Sequence, residues 1–257
     1  MSFSLALTRL LKRRSDTQRT TLIATSYEKK DTLLQCYKNC NPSFDSNRQE
    51  LEQLGAKLYY EVDATRLEET LPLPKKLKFH RIIWNFPCTA IANGQDGQND
   101  AMEHNKDLVR KFVKRARKLL MPSGEIHICH KTKPPYNQWR LEHVALEHVK
   151  DGSLHYVGKV ILDRYLLPPY TPRKALDRKS FPCHDACFYI FATNSNSSAA
   201  NGEDFLPTIG NNSEDAYYVP TVQITPRIIL NIRKFLLRHA ESKISNQKRK
   251  KKIRQNK

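Results

Sequence analysis

Up to about residue 194, short runs of apolar residues alternate with stretches in which apolar residues recur at helical spacing. Six short apolar runs predict strands, at 21–26, 57–62, 81–86, 125–130, 156–162 and 187–193. Apolar residues at helical spacing predict helices, over 2–13, 30–40, 48–54, 103–120 and 136–149. Strands that alternate with helices are typical of βαβ units, so the pattern predicts an α/β fold with a mainly parallel sheet and an antiparallel hairpin at its end.

The stretch 103–120 shows the most regular helical pattern. Its apolar face consists of Leu108, Val109, Phe112, Val113, Ala116, Leu119 and Leu120. Its other face carries basic residues, namely Lys106, Arg110, Lys111, Lys114, Arg115, Arg117 and Lys118. Such a face could contact RNA, but a solvated basic face on an ordinary amphipathic helix is the commoner case.

Composition divides the chain into four parts. Residues 1–194 carry the alternating pattern and are expected to form a Rossmann-like domain. Residues 195–224 begin with a run rich in Asn, Ser, Gly and Asp, typical of a flexible linker. Residues 225–242 predict an amphipathic helix, and 243–257 form a basic tail.

The formal net charge is +18, and the tail contributes eight basic and no acidic residues to it. This excess indicates a polyanionic partner, with nucleic acid the first candidate. Within the tail, the run 248–254 is typical of a nuclear or nucleolar address, although solvated disorder is an alternative. No apolar run is long enough to predict a membrane span.

The six cysteines predict reduced thiols rather than disulfides or zinc ligands. The metal-like cluster is Cys183-His184-Asp185-Ala186-Cys187. Structural zinc sites usually show tighter and duplicated ligand pairs, and Cys187 also fits the start of a buried strand. We therefore expect no metal site.

Acidic residues follow the first two predicted strands, and ligands of doubly wound sheets bind beyond the carboxyl ends of strands. Glu28 could accept hydrogen bonds from both ribose hydroxyls of a nucleotide-like cofactor, or it could be a helix N-terminal charge. Asp63, followed by Ala64 and Thr65, could accept from an adenine amino group, or it could cap a helix.

The tripeptide Asn85-Phe86-Pro87 ends the third predicted strand. It resembles the (Asn/Asp)-Pro-Pro-aromatic motif of amino-methylating enzymes, in which the Asn holds the nitrogen that receives the methyl group. Proline stops the strand and fixes the loop. An ordinary turn is the alternative interpretation of so short a motif.

Polar and aromatic residues follow the fourth predicted strand, namely His130, Lys131, Thr132, Tyr136 and Trp139. This mixture suits an RNA site, because cations bind phosphate, aromatic rings stack a splayed-out base, and a His or Lys can assist proton loss. His130 is the candidate general base, and Lys131 is the candidate stabiliser of negative charge on the bound base. In the structural alternative, Trp139 packs under the following helix.

Several segments together resemble one known family, the large-subunit rRNA (uridine-N3)-methyltransferases. They are SFSLALTRLL, LIATSYE, VDATRLEE, FHRIIWNFPCTA, LVRKFVKRARKLLMPSGEIHICHKTKPPYNQW and the loop YLLPPYTPRK before FPC, within residues 2–193. The resemblance implies a class I methyltransferase sheet, S-adenosylmethionine as cofactor, methyl transfer to uridine N3, and ribosomal RNA or pre-ribosomal particles as partners.

The resemblance also implies roles for residues at matching positions. Cofactor binding is expected for Ser2, Ser4, Glu28, Asp63, Ala64 and Asn85. Catalysis is expected for His130, Lys131 and Asn85. The target base is expected to contact Phe86, Pro87, Thr132, Tyr136 and Trp139.

The chain departs from the family pattern at two places. Cys88 stands where the family usually has His, and the Gly-Glu-Gly signature with its hydrophobic strand is absent before Ser2. We therefore expect a sheet without its first strand and glycine loop, with open edges on both neighbouring strands, and an N-terminally shortened gene model or isoform.

Two alternatives remain at this stage: a non-catalytic RNA-binding or ribosome-assembly protein that keeps the methyltransferase fold, and a methyltransferase for tRNA or protein. A dehydrogenase is disfavoured because the chain has no Gly-x-Gly-x-x-Gly.

Overall fold

The computed structural model describes residues 1–13, 20–74, 76–89 and 99–193. Its helices are α1 (Ser2–Arg13), α2 (Lys30–Cys36), α3 (Phe44–Gln53), α4 (Leu67–Thr70), α5 (Asn99–Lys118) and α6 (Leu141–Val144). Its strands are β1 (Ile23–Thr25), β2 (Lys57–Tyr59), β3 (Phe79–Asn85), β4 (Leu120–Lys131), β5 (Leu154–Ile161) and β6 (Ala186–Thr193). The predicted linker, second amphipathic helix and basic tail lie outside the described residues.

Each predicted strand corresponds to one of these strands, so the expected α/β class is confirmed. β1 pairs with β2 in parallel, and β3 pairs with β4 in parallel. β6 is antiparallel to both β4 and β5, so the expected hairpin at the end of the sheet is present. The four-stranded order is β3-β4-β6-β5.

The six strands form two separate sheets, β1-β2 and β3-β4-β6-β5. Within the described ranges, no strand pairs with the remaining edge of β1 or of β3. The break between the sheets lies at the place where the resemblance predicts the first strand of the family's sheet. Open edges of this kind present unpaired backbone amides and carbonyls.

Helix α1 contacts the apolar residues of both sheets. Its Leu5 packs in a cluster with Leu51 and Ala56, around the short sheet. The next residue, Ala6, packs in a cluster with Cys129, at the end of β4. Adjacent helical residues point about 100° apart, so one helix can cover parts of two sheets.

Helix α5 covers the long sheet through the apolar face that its sequence predicts. Val109, Phe112 and Val113 are buried in the main core cluster, and the Trp84 ring meets the Phe112 ring edge-on with centroids 4.5 Å apart. The irregular first part of β4 needs Gly124, because a Cβ there would lie 2.8 Å from the Met121 carbonyl oxygen.

The predicted helix over 136–149 is wrong as a single element. The structure has a short 3-10 turn, Tyr136–Trp139, and then α6, with Arg140 between them in the left-handed conformation at φ 48°. Trp139 and Leu141 are both buried. Positions i and i+2 of one helix face nearly opposite directions, so the chain must break to bury both side chains.

Candidate functional site

Predicted site residues follow the carboxyl ends of both parallel strand pairs. Glu28 and Asp63 follow β1 and β2, whereas Asn85 and Lys131 are the last residues of β3 and β4. Because each pair is parallel, its two ends lie at the same edge of its sheet. Among the described residues, no hydrogen bond or ion pair joins Glu28 or Asp63 to Asn85, His130 or Lys131.

Asn85 carries a buried side-chain oxygen, Oδ1, that accepts no hydrogen bond within the described structure. A buried acceptor without a donor costs about 1–3 kcal/mol, and a ligand that donates a hydrogen bond to it would remove that cost. The strand ends abruptly behind it, since Phe86 has a φ of 52° and its N–H donates to the Cys129 carbonyl at 2.8 Å. A positive φ at a bulky residue is a strained conformation that often occurs at binding sites.

The loop after Asn85 is fixed from helix α5. Pro87 is fully buried, and Asn105 Oδ1 accepts hydrogen bonds from the Thr89 backbone N–H (2.6 Å) and hydroxyl (3.0 Å). Asn105 is itself inaccessible to solvent. Sequence reasoning missed this residue, because a buried Asn inside an amphipathic helix gives no local motif.

Lys131 lies among aromatic rings. Its Nζ is 4.7 Å from the Tyr136 ring centroid and 5.0 Å from that of Phe181, distances at which a cation is attracted to a ring face. Phe181 also meets Phe86 edge-on, with centroids 5.0 Å apart. The structure thus brings Phe86, Lys131 and Tyr136 together through Phe181, the first residue of the FPC segment, for which the sequence predicts no role.

His130 is buried beside this group. Its ring centroid lies 4.2 Å from that of Trp139 and 5.6 Å from that of Tyr136, and its Nδ1 is 3.1 Å from the Lys131 carbonyl oxygen. Burial lowers the pKa of His130 to about 4, against a smaller raising effect of that backbone contact. The imidazole is therefore neutral at pH 7 and a weak base. Its predicted role as general base stays a prediction that this environment does not favour.

Three other predicted site residues are engaged in structural contacts. Trp139 is only 1% exposed and lies in the main core. It therefore packs inside the protein, as the structural alternative predicts, and offers no ring face to a nucleobase. The Thr132 hydroxyl donates to the Asp185 carbonyl at 2.7 Å, which ties the end of β4 to the start of β6. The Ser2 hydroxyl joins α1 to residue 171 by contacts of 3.3–3.4 Å.

The predicted cofactor residues after β1 and β2 retain free oxygen atoms. Asp63 Oδ1 caps the 3-10 turn Ala64–Arg66 by accepting from the Thr65 N–H and hydroxyl, both at 2.7 Å. Its other oxygen has no described hydrogen bond. Glu28 is half-buried, and its carboxylate makes no hydrogen bond or ion pair within the described ranges. Ser4 lies in the first turn of α1, and its carbonyl accepts from Thr8.

The basic face of α5 is largely neutralised by acidic neighbours. Six of its seven cations form ion pairs: Lys106 with Glu103, Arg110 with Glu103 and Glu147, Lys111 with Asp107, Arg115 and Lys118 with Glu68, and Arg117 with Asp151. Such pairs contribute about 0–1 kcal/mol each to stability, but they reduce the field that a phosphate would meet. The arrangement favours a solvated face over an RNA-binding one.

A groove of about 340 Å³ lies far from these residues along β3. It is lined by residues at the start of β3, the end of α5 and the segment after β2, including Leu67, Leu71, Phe79, Lys118 and Leu119. Asn85 and Lys131 lie at the other end of the parallel strands. We therefore assign this groove no role in the candidate site.

In the portion of the chain that the structure describes, no group of three or more His, Cys, Asp or Glu side chains could hold a metal ion. The same portion has no helix that is long and apolar enough to cross a membrane.

Comparison with known proteins gives a family match and two curated plant relatives. The sequence model of the BMT5-like family, described as rRNA (uridine-N3-)-methyltransferase, matches residues 1–174. The Arabidopsis thaliana heavy metal-associated isoprenylated plant protein 41 is 34% identical over 48% of this chain, but the match spans only 23% of that relative. An uncharacterized Arabidopsis thaliana protein is 29% identical, over 66% of this chain and 79% of the relative.

Solved methyltransferase structures superpose on this chain only with low scores. The rRNA methylase of Streptococcus thermophilus superposes with a TM-score of 0.34 at 11% identity, over 73% of this chain and 94% of that chain. The N-methyltransferase NodS of Bradyrhizobium japonicum gives a TM-score of 0.31 at 11% identity, over 72% and 84%. Both scores are low, so the family assignment rests on the sequence match alone.

Proposed function

This chain belongs to the BMT5-like family of rRNA (uridine-N3-)-methyltransferases, and on that premise we propose that it transfers a methyl group from S-adenosylmethionine to N3 of a uridine in large-subunit rRNA. The observation that carries the proposal is the buried, unpartnered Oδ1 of Asn85 beside an aromatic and cationic group. An oxygen acceptor at that position suits the N3–H donor of uracil.

The residues after β1 and β2 fit the cofactor. Glu28 and the second oxygen of Asp63 offer carboxylate acceptors for ribose hydroxyls and an adenine amino group. S-adenosylmethionine supplies an electrophilic methyl group on a sulfonium when it is bound. Around it, the role of this chain is to position the nitrogen and to exclude water.

The residues after β3 and β4 fit a base that has left its stack. Phe86, Phe181 and Tyr136 offer ring surfaces beside Asn85, and single bases of RNA are typically recognised by stacking and by hydrogen bonds to their edges. Asn85 Oδ1 would accept from N3–H and so orient that nitrogen.

Proton loss is the chemical difficulty of this reaction, because N3 of uridine is only weakly acidic. N3 would release its proton to solvent, so negative charge would develop on the uracil ring. N3 would then bond to the methyl carbon as the bond from that carbon to sulfur breaks, which leaves a neutral thioether. The Lys131 ammonium, held between the Tyr136 and Phe181 rings, stabilises that negative charge. His130, with a pKa of about 4, contributes mainly by packing against Tyr136.

Cofactor binding can be tested by calorimetric titration of S-adenosylmethionine into the full chain. We expect saturable binding, weakened about ten-fold or more in Glu28→Gln, because a lost hydrogen bond to a charged group costs about 1.5–3 kcal/mol. Asp31→Asn is the matched control, since it removes a carboxylate from the first turn of the following helix α2. Equal weakening by both changes would support the helix-charge alternative for Glu28. Absence of saturable binding in a folded sample that still binds RNA would overturn the enzyme proposal and support the non-catalytic alternative.

We further propose that the protein acts in the nucleus, at the nucleolus, on pre-ribosomal particles. The basic run at 248–254 supports this location. A fluorescent fusion in which the Lys and Arg residues of this run are replaced by Gln should lose nucleolar enrichment. Unchanged enrichment would contradict the assignment.

A further inference from the structure

A compact basic turn lies between β5 and β6, at residues 173–180. An isolated β-bridge between Arg173 and Ser180 closes it, and the Arg173 guanidinium donates to the Arg178 carbonyl. The Asp177 N–H donates to the Lys174 carbonyl at 3.2 Å. These contacts fold the segment RKALDRKS into one closed turn, which we call the basic turn.

The basic turn carries unneutralised positive charge. Its cations are Arg173, Lys174, Arg178 and Lys179, and among the described residues none of the four forms an ion pair. The one carboxylate of the turn, Asp177, accepts from the Lys179 backbone N–H at 2.9 Å through its Oδ1. The cations of the basic turn thus differ from those of α5, most of which form an ion pair with an acidic residue.

The base of the basic turn touches the candidate site. Phe181 directly follows the turn, packs edge-on against Phe86 and lies under the Lys131 ammonium. The Phe181 N–H donates to the Pro172 carbonyl, which closes the turn beside these rings. On the other side, the Tyr37 hydroxyl donates to the Lys174 carbonyl at 3.2 Å. The basic turn is therefore joined through Phe181 to the residues proposed to hold the target base.

We infer that the basic turn binds the phosphates of the RNA strand on either side of the target nucleotide. The inference rests on the proposed function and names the surface by which that site receives its substrate. Phosphate contacts position a nucleic acid without reading its sequence, and a splayed-out base needs its flanking backbone held. At the tip, Leu176 is 46% exposed, an apolar contact for a sugar or base.

RNA fits this surface better than an anionic membrane. A membrane-binding segment presents an extended apolar face beside its cations, whereas the tip offers Leu176 and Ala175 alone. The aromatic rings next to the turn surround Lys131, where the turn joins the rest of the protein. Rings in this position suit stacking against an unstacked nucleobase.

The test compares two triple variants of the full chain that lower the net charge equally. The first, Lys174→Gln with Arg178→Gln and Lys179→Gln, removes three exposed cations of the basic turn and leaves Arg173, which closes it. The control, Lys111→Gln with Lys114→Gln and Arg117→Gln, does the same on α5. Affinity for a fluorescein-labelled, uridine-containing single-stranded RNA is measured from 50 to 300 mM salt, and both variants keep the basic tail.

We expect the basic-turn variant to bind this RNA about ten- to 100-fold more weakly at 0.1 M salt, with the slope of log K against log salt reduced by about 2, because each phosphate contact on a single strand contributes about 0.7. The α5 control should change both quantities far less. At saturating RNA, methyl transfer by the basic-turn variant should proceed at the wild-type kcat with a raised KM.

Equal losses in the two variants, or unchanged RNA affinity in the basic-turn variant, would overturn the inference. The inference would also be overturned if the basic-turn variant lost binding to phosphatidylserine-containing vesicles while its RNA affinity stayed the same as that of the wild type. If the wild type binds RNA through the basic turn but transfers no methyl group, the proposed function fails and the RNA surface stands. If the wild type transfers methyl groups and the basic-turn variant has an unchanged KM, the proposed function stands and the basic turn is not the RNA-binding surface.

Discussion

Replacing Asn85 with leucine is expected to lower kcat for methyl transfer by about 100-fold or more, the loss typical of removing one preorganised hydrogen-bonding group from an active site. The same change should leave the protein as stable as the wild type or more so. The Asn85 side-chain oxygen is buried without a donor, so an apolar side chain of similar size relieves an unsatisfied acceptor. Loss of activity without loss of stability is the signature of a residue kept for function.

Asn47 provides a matched control, because its Oδ1 is also buried without a partner, in helix α3. Asn47→Leu should change the free energy of unfolding in the same direction as Asn85→Leu and should leave methyl transfer unchanged. Urea unfolding, RNA affinity and initial rates measured on all three proteins make the comparison. If Asn85→Leu turned over at the wild-type rate, Asn85 would have no part in the reaction.

The second large effect is a loss of stability in acid that depends on His130. Burial lowers the pKa of this group to about 4, while in the unfolded chain it lies near 6.5. Between these values the unfolded state binds a proton that the folded state does not, so stability falls as the pH falls through this window. The expected loss is about 2 kcal/mol between pH 7 and pH 5, at roughly 1.36 kcal/mol per pKa unit.

His130→Gln removes the titrating group and should flatten the dependence of unfolding free energy on pH within this window. His143→Gln is the control, since His143 is exposed and lies beside Arg140 and Glu142 on the surface. Urea unfolding at pH 7, 6 and 5 supplies the data. A dependence that survives in His130→Gln would show that His130 is solvated or charged in the folded protein.

The periodicity of the sequence predicts the fold well where local pattern and tertiary burial agree. Each predicted strand run corresponds to a strand of the structure, and the apolar face of α5 lies in the core as its helical spacing predicts. The predicted helix 136–149 failed where burial overrode spacing. Trp139 and Leu141 both enter the core, and the left-handed Arg140 between them makes that possible.

The candidate site could be predicted only in part. The strand-end rule placed Asn85 and Lys131 at the ends of neighbouring parallel strands, as the structure has them. It could not show that His130 faces inward, because consecutive residues near the end of β4 are buried and alternation does not single out one face there. Nor could it find Phe181 and Asn105, which meet the site from distant parts of the chain.

Methyl transfer to uridine N3 is tested by incubating the full chain with isotopically labelled S-adenosylmethionine and unmodified large-subunit rRNA, and then digesting the RNA to nucleosides. We expect label in 3-methyluridine, none in tRNA or protein substrates, and loss of that label in Asn85→Leu but not in Asn47→Leu. Label in a different nucleoside, or no label from a folded protein that binds both cofactor and RNA, would contradict the proposed function.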